Sequence, residues 1–214
     1  MSILTVTAST KVVGRLSKLE KAIFGIHIGS PRIGKNPKRT AWEADYKNVT
    51  GEKPKELGHG SKATAYRHPT DSEKVIKVVF FEDQCWDEYL RISKRIRDKA
   101  VRKLTPKVYA SAFNKDGTSI HIVERLYKAT PARVRRSVKR DKYMWEVLQS
   151  IGMLIGFGMA YQLKPDSYFK DKHPVLSLIN TLRKRCTLDI HIENIMFRKN
   201  GDMVLMDPVA GRLR

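Results

Sequence analysis

Four groups of residues in this 214-residue chain combine type and spacing in ways that could do chemistry. The first is Leu57-Gly58-His59-Gly60-Ser61-Lys62-Ala63, a G-x-G-x-x-A run. Glycines one residue apart let a backbone turn approach phosphate oxygens with no Cβ between them. A strand rather than a helix comes next, which disfavours a dinucleotide-binding turn, and an ordinary hairpin uses the same glycines. The second is Lys77, centred in Val75-Ile76-Lys77-Val78-Val79. On an alternating strand it could simply face solvent. On a strand antiparallel to the glycine turn its ammonium becomes a point charge for phosphate. Such a lysine needs a carboxylate, and Glu88 is the first candidate because it borders an apolar helical stripe; Glu82 and Asp83 are its rivals. The third group is Asp189-Ile190-His191-Ile192-Glu193-Asn194, an Asp and an Asn five positions apart on a loop running into an apolar strand. The carboxylate can take a proton from an incoming hydroxyl while the amide oxygen ligates a metal ion. The fourth is Val204-Leu205-Met206-Asp207, a strand ending in a carboxylate suited to a hard cation such as Mg²⁺. Singly, each acid could equally be a helix cap or a surface group.

The elements that must carry these groups can be read from periodicity. Residues 1–50 read as a basic N-terminal extension with one short amphipathic helix, marked by Leu16, Leu19, Ile23 and Phe24. The Gly-, Pro- and base-rich stretch 25–40 then reads as loop, and Trp42 and Tyr46 should pin this segment onto whatever follows. Residues 51–126 read as strands with one helix. Lys74–Phe81 is a β-branched and aromatic strand, and residues 106–113 and 118–126 flank a turn at Asn114-Lys115-Asp116-Gly117. Between them, 83–102 carries Cys85, Tyr89, Ile92 and Ile96 on one helical stripe. Residues 127–214 read as mainly helical, with a basic run over 133–142, helices over 143–163 and 174–184, and a final strand–turn–strand. Gly152, Gly156 and Gly158 weaken the 143–163 helix by up to ~1 kcal/mol each relative to Ala. A β-rich part and then a helical one predict an α+β fold.

Composition bounds the answer. Hydrophobic residues make up 41% and charged residues 30%, enough apolar material for a core and too much for wholesale disorder. Two cysteines in a chain this long exclude a disulfide scaffold; Cys85 and Cys186 are expected to be reduced thiols of a cytosolic protein. No leader is legible, and the most apolar stretch, 151–161, is about half the ~20 residues a spanning helix needs. A net charge of +20 favours acidic partners, whether nucleic acid, ribonucleoprotein, an acidic protein or a phosphorylated ligand.

Taken in order, glycine turn, strand lysine, helix glutamate, D-x-x-x-x-N loop, hairpin and strand-end Asp match the sequence of parts in protein kinases. Residues 57–80 and 189–209 resemble the early serine/threonine protein kinase of T7-like bacteriophages. Tyr66 and His68-Pro69 beyond the glycines, and Asp207-Pro208-Val209 in place of Asp-Phe-Gly, carry the likeness to that group. The resemblance implies a two-lobed kinase-like fold with a β-rich N-lobe over 51–126 and a reduced C-lobe over 127–214. It implies that Gly58, Gly60 and Ser61 cover the phosphates of ATP, that Lys77 binds its α- and β-phosphates with Glu88 as partner, and that Glu124 to Leu126 form the hinge for adenine. Asp189 would be the catalytic base, with Asn194 and Asp207 holding Mg²⁺.

Departures from the kinase pattern qualify what is implied. Ala63 replaces the third loop glycine, Thr187-Leu188 stands before Asp189 where His-Arg is usual, and His191 occupies a position often held by lysine. Seven residues lie beyond Asp207, so switching through a phosphorylated activation segment is not expected. The function implied is transfer of the γ-phosphate to Ser or Thr hydroxyls of host proteins in the bacterial cytoplasm during infection. Targets would lie in transcription, RNA processing, translation or defence. Arg133, Arg135, Arg136, Lys139, Arg140 and Lys142 would recruit acidic substrate segments. His191 and the short tail also suit a small-molecule phosphotransferase of the aminoglycoside type. The charge alone suits a non-catalytic basic protein that keeps a kinase-like scaffold to bind nucleic acid or a host factor.

Overall fold

The computed structural model describes residues 11–13, 16–26, 37–114, 117–140, 174–211 and 213. The helix expected over 143–163, with Gly152, Gly156 and Gly158, lies outside the described residues. The chain divides into two compact units, Met1–Glu82 with Lys107–Arg125, and Asp83–Pro106 with Leu126–Arg214. The fold is mixed α/β.

In the first unit the apolar alternation becomes a six-stranded antiparallel sheet. Its strands are β1 (Lys11–Val13), β2 (Glu56–His59), β3 (Ala63–Arg67), β4 (Lys74–Val79), β5 (Val108–Phe113) and β6 (Ser119–Glu124), in spatial order β1-β5-β6-β4-β3-β2. Every neighbour is antiparallel. Period-2 geometry puts Tyr66, Ile76, Val78, Phe80, Ile120 and Ile122 into one core cluster. Two helices complete that core, α1 (Lys18–Phe24) through Ile23 and Phe24, and α2 (Pro37–Thr50) through Trp42 and Tyr46. Periodicity predicts one helix here and a loop through residue 40. The second helix starts at Pro37, a residue pre-set for the first helical position, and Trp42, Tyr46 and Val49 form its apolar stripe. Residues described between 16 and 50 are therefore part of the first unit's core rather than an appendage.

Polar clasps hold both helices. Trp42 stacks at 4.8 Å from Tyr66, whose hydroxyl donates to Glu43 at 2.7 Å. The α1 start is a capping box, in which the Glu20 N–H donates to the Ser17 hydroxyl and the Ser17 N–H to the Glu20 carboxylate. That buried carboxylate also faces His68 Nε2 and Lys74 Nζ, each at 3.2 Å. His68 Nδ1 accepts from the Thr70 and Asp71 N–H groups, so the ring is neutral and its Nε2–H donates to Glu20.

The second unit holds α3 (Gln84–Arg95), α4 (Lys99–Lys103), α5 (Pro131–Arg140) and α6 (Pro174–Arg183). Its strands are β7 (Tyr127–Lys128), β8 (Thr187–Leu188), β9 (Ile195–Phe197), β10 (Met203–Leu205) and β11 (Val209–Ala210). The single helix expected over 83–102 is two, because Ile96 turns extended and Asp98 caps α4 by accepting from the Ala100 N–H at 2.7 Å. The strands form a β10-β9-β7 sheet and a β11-β8 ladder. The Tyr89 hydroxyl donates to the Leu205 carbonyl, and the Leu205 N–H to the Leu104 carbonyl at 2.8 Å, tying α3 and α4 to β10. Cys85 and Cys186 are free and buried; burial, together with the neighbouring Cys85 thiol, pushes the Cys186 thiol up to about 12, which leaves it protonated and inert. Among the described residues no helix is long and apolar enough to cross a membrane.

The Glu20 clasp predicts a pH signature. Burial by itself would raise the Glu20 carboxyl, but hydrogen bonds from Ser17 and Lys74 outweigh it and hold the group below its usual range. A depressed carboxylate stabilises the fold above its unfolded value and loses that contribution as pH falls through its folded value. Glu20→Ala should cost about 3 kcal/mol near neutrality, since it strips a partner from a buried polar cluster. In thermal melts the gap from wild type should be full at pH 7 and close on acidification below about 4.5. A gap that does not change with pH contradicts the clasp.

Candidate functional site

In the second unit two loops are laced together by backbone. β8 runs into Asp189, Ile190 and His191, a single 3₁₀ turn spans Ile192–Asn194, and β9 comes next. The returning segment is β10, then Met206, Asp207 and Pro208, then β11. The Asp189 N–H donates to the Pro208 carbonyl and the Met206 N–H to the Asn194 carbonyl, both at 2.8 Å. Beyond these bonds the ladders continue, with Leu188 opposite Val209 and Ile195 opposite Leu205. Asp207 thus sits between two fixed points, and Asp189 and Asn194 are the residues at those points. Buried Ile190 anchors the loop from below.

The side chains are set by that frame. Asp189 is 39% exposed, open to a solvent-borne partner, whereas Asp207 Oδ1 is buried. Asn194 Nδ2 donates to the Asp189 carbonyl at 2.8 Å and approaches His191 Nε2 at 2.8 Å. A carbonyl can only accept, so the atom facing it is the amide nitrogen, which leaves Oδ1 as an acceptor. The turn between β9 and β10 depends on Gly201, whose φ is +94° and whose missing Cβ would lie 2.9 Å from Arg136 Cγ. Arg136 in turn donates to the Lys199 carbonyl at 2.7 Å.

The first unit holds the remaining predicted groups. Gly58 and Gly60 lie in the β2–β3 hairpin, closed by the Gly60 N–H donating to the Ala63 carbonyl at 2.8 Å, with Ser61 exposed at its tip. Neither glycine has a left-handed φ, and a Cβ on either would meet nothing within 4 Å. The hairpin's own packing therefore does not demand glycine there. Lys77 is 8% exposed, which removes the alternative of a solvent-facing strand lysine. It lies on β4 between Ala65 of β3 and His121 of β6, on the sheet face opposite Ile76 and Val78. The buried His121 ring bridges the Ser119 and Ser111 hydroxyls at 2.8 and 3.0 Å. Glu124, also buried, accepts from the Lys107 N–H at 2.8 Å.

Glu88, expected as the partner of Lys77, lies in the second unit. Its carboxylate is buried, held by Arg91 through Nε and one terminal guanidinium nitrogen and by Arg185 at 3.3 Å, all within the second unit. Arg91, three residues ahead on the same helix, is a competitor visible in the sequence; Arg185, far along the chain, is not. Leu126 is buried and opens the second unit's last segment, directly after Arg125 ends the first. The basic run is helix α5 as far as Arg140, and Lys142 lies outside the described residues. Arg133 is engaged with the Tyr127 ring and Arg136 with a carbonyl, while Arg135 and Lys139 are exposed. Among the described residues, no three His, Cys, Asp or Glu side chains gather as a metal site.

No known family's sequence profile matches the chain, and no curated protein does. Among solved structures it is similar to a crystal structure of the BubR1 kinase domain, at a TM-score of 0.41 and 14% identity. The alignment covers 72% of this chain and 44% of that one, so this chain spans less than half the length of the protein it matches.

The open space at Gly58 and Gly60 separates folding from function. Gly58→Ala and Gly60→Ala should leave the unfolding free energy within about 0.5 kcal/mol of wild type in urea titrations. A loss of more than about 2 kcal/mol would mean the hairpin itself requires glycine.

Proposed function

We propose that this chain is an ATP-dependent serine/threonine protein kinase of the lytic-phage type, acting on host proteins in the bacterial cytoplasm. The observation that supports it most is the laced double loop, which gathers a half-exposed carboxylate, an oriented amide and a second, more buried carboxylate on one rigid frame. The order of parts along the sequence supports it too, since the glycine hairpin and a buried strand lysine precede that frame.

In this reading Asp189 orients the acceptor hydroxyl and takes its proton as the oxygen attacks the γ-phosphorus. The bond from γ-phosphorus to the bridging oxygen breaks, and ADP leaves with that oxygen's electron pair. The transition state is loose, so positioning and charge neutralisation do most of the work. Lys77 would neutralise the α- and β-phosphates, the Gly58–Ser61 backbone would cover the triphosphate, and Glu124 to Leu126 would meet the adenine. The donor set suits Mg²⁺, which the Asn194 Oδ1 and the Asp207 carboxylate, both hard oxygen donors, would hold. When bound, that ion supplies charge neutralisation. Glu88 has no part in the proposal, because two arginines already neutralise it.

The +20 charge suits acidic or nucleic-acid-bound substrates, and Arg135 and Lys139 are exposed cations of α5 that could meet them. One observation favours a second reading, a small-molecule phosphotransferase: His191, at the position where protein kinases often carry lysine, packs against the Asn194 amide. Hydroxylated small molecules tested beside proteins as acceptors separate the two.

Label transfer from γ-³²P-ATP to bacterial lysate tests the proposal. Wild type should label Ser or Thr residues, and Asp189→Asn and Asp207→Ala should each lower the rate by about 10²-fold or more. Folded variants that label as fast as wild type would overturn it.

A further inference from the structure

We infer that His191 is a positioning residue, an acceptor that holds the Asn194 amide in the one orientation leaving its Oδ1 for the metal. The consequence for catalysis rests on the kinase reading; the hydrogen-bond pattern beneath it does not. Asn194 Nδ2 stands 2.8 Å from two groups, the Asp189 carbonyl and His191 Nε2. The carbonyl cannot donate, so the atom facing it must be the amide nitrogen. Both contacts are then donated by the same NH₂, and the imidazole can answer only with a lone pair on Nε2. His191 is therefore the tautomer protonated at Nδ1.

That tautomer has two effects. A single contact to the Asp189 carbonyl would leave the amide free to rock about it, whereas two acceptors straddling one NH₂ fix its plane and the direction of Oδ1. The second effect concerns Asp189, whose Oδ1 lies 3.7 Å from the same Nε2. An Nε2–H would be drawn to that carboxylate and would occupy the oxygen that must receive the substrate's proton. With the proton on Nδ1, Nε2 offers Asp189 no donor, and the carboxylate keeps its acceptor capacity. A lysine at this position could serve Asp189 or a phosphate but could not accept from Asn194, because an ammonium has only donors. The histidine thus exchanges a charge for an orienting contact.

Long-range ¹H–¹⁵N correlation on the full chain reads the tautomer directly. His191 should show a protonated Nδ1 and an unprotonated Nε2, and one Asn194 side-chain N–H should shift in His191→Phe. The kinetic arm compares His191→Phe, which has no acceptor, with His191→Gln, whose amide oxygen can replace it. The Phe variant should need about tenfold more Mg²⁺ for half-maximal transfer, with an unchanged melting temperature, and the Gln variant should recover most of that loss; this corresponds to about 1.4 kcal/mol. An Nε2-protonated tautomer, or a Phe variant with wild-type Mg²⁺ dependence, overturns the inference. So does a Gln variant as impaired as Phe. Absence of transfer by wild type would instead sink the kinase reading, and the tautomer and the Asn194 shift would still decide the hydrogen bond.

Discussion

Two backbone hydrogen bonds, Asp189 to Pro208 and Met206 to Asn194, are the constraint on which the proposed chemistry depends. Each crosses between segments that the β8–β11 and β9–β10 ladders bring together. Backbone bonds are a suitable fastening for a reactive loop. They draw on no side-chain acceptor of Asp189, Asp207 or Asn194. They also resist small displacement, because an unpaired buried amide or carbonyl costs about 1–3 kcal/mol. The core beneath, Ile190, Ile195 and Leu205, makes the loop a surface feature on a packed base.

The first unit shows the complementary strategy, in which side chains clasp the scaffold. Tyr66 and His68 do structural work: Tyr66 stacks on Trp42 and bonds Glu43, and His68 donates to Glu20. They hold α2 and α1 respectively. A motif that looks functional in sequence can thus mark how a protein braces its sheet. The lysine next to that brace is different, for Lys77 lies on the other face, in a row with the His121 ring and the serines that satisfy it.

Much of this was legible in the residues and some was not, for identifiable reasons. β4 and the β5–β6 hairpin were readable because alternating apolar residues and an Asn-to-Gly turn act locally. Helix α2 was missed because its basic, proline-led start resembles loop, although Trp42, Tyr46 and Val49 recur at helical spacing. The break between α3 and α4 was hidden by an apolar stripe that runs through it, while the deciding residue, Asp98, is polar. Asp189, Asn194 and Asp207 stood out as candidates by residue type and order along the chain, and the frame that holds them is short-range in sequence. The fate of Glu88 could not be read that way, since Arg185 is brought to it only by tertiary packing.

In the proposed reading Asn194 and Asp207 would hold one divalent ion alongside nucleotide, with Asp189 next to it in the same loop. Paramagnetic broadening by Mn²⁺ in the presence of ATP measures this directly, amide by amide. Broadening should centre on residues 189–195 and 205–208 and disappear from both in Asp207→Ala. Broadening centred elsewhere, or on only one of the two segments, would contradict the claim.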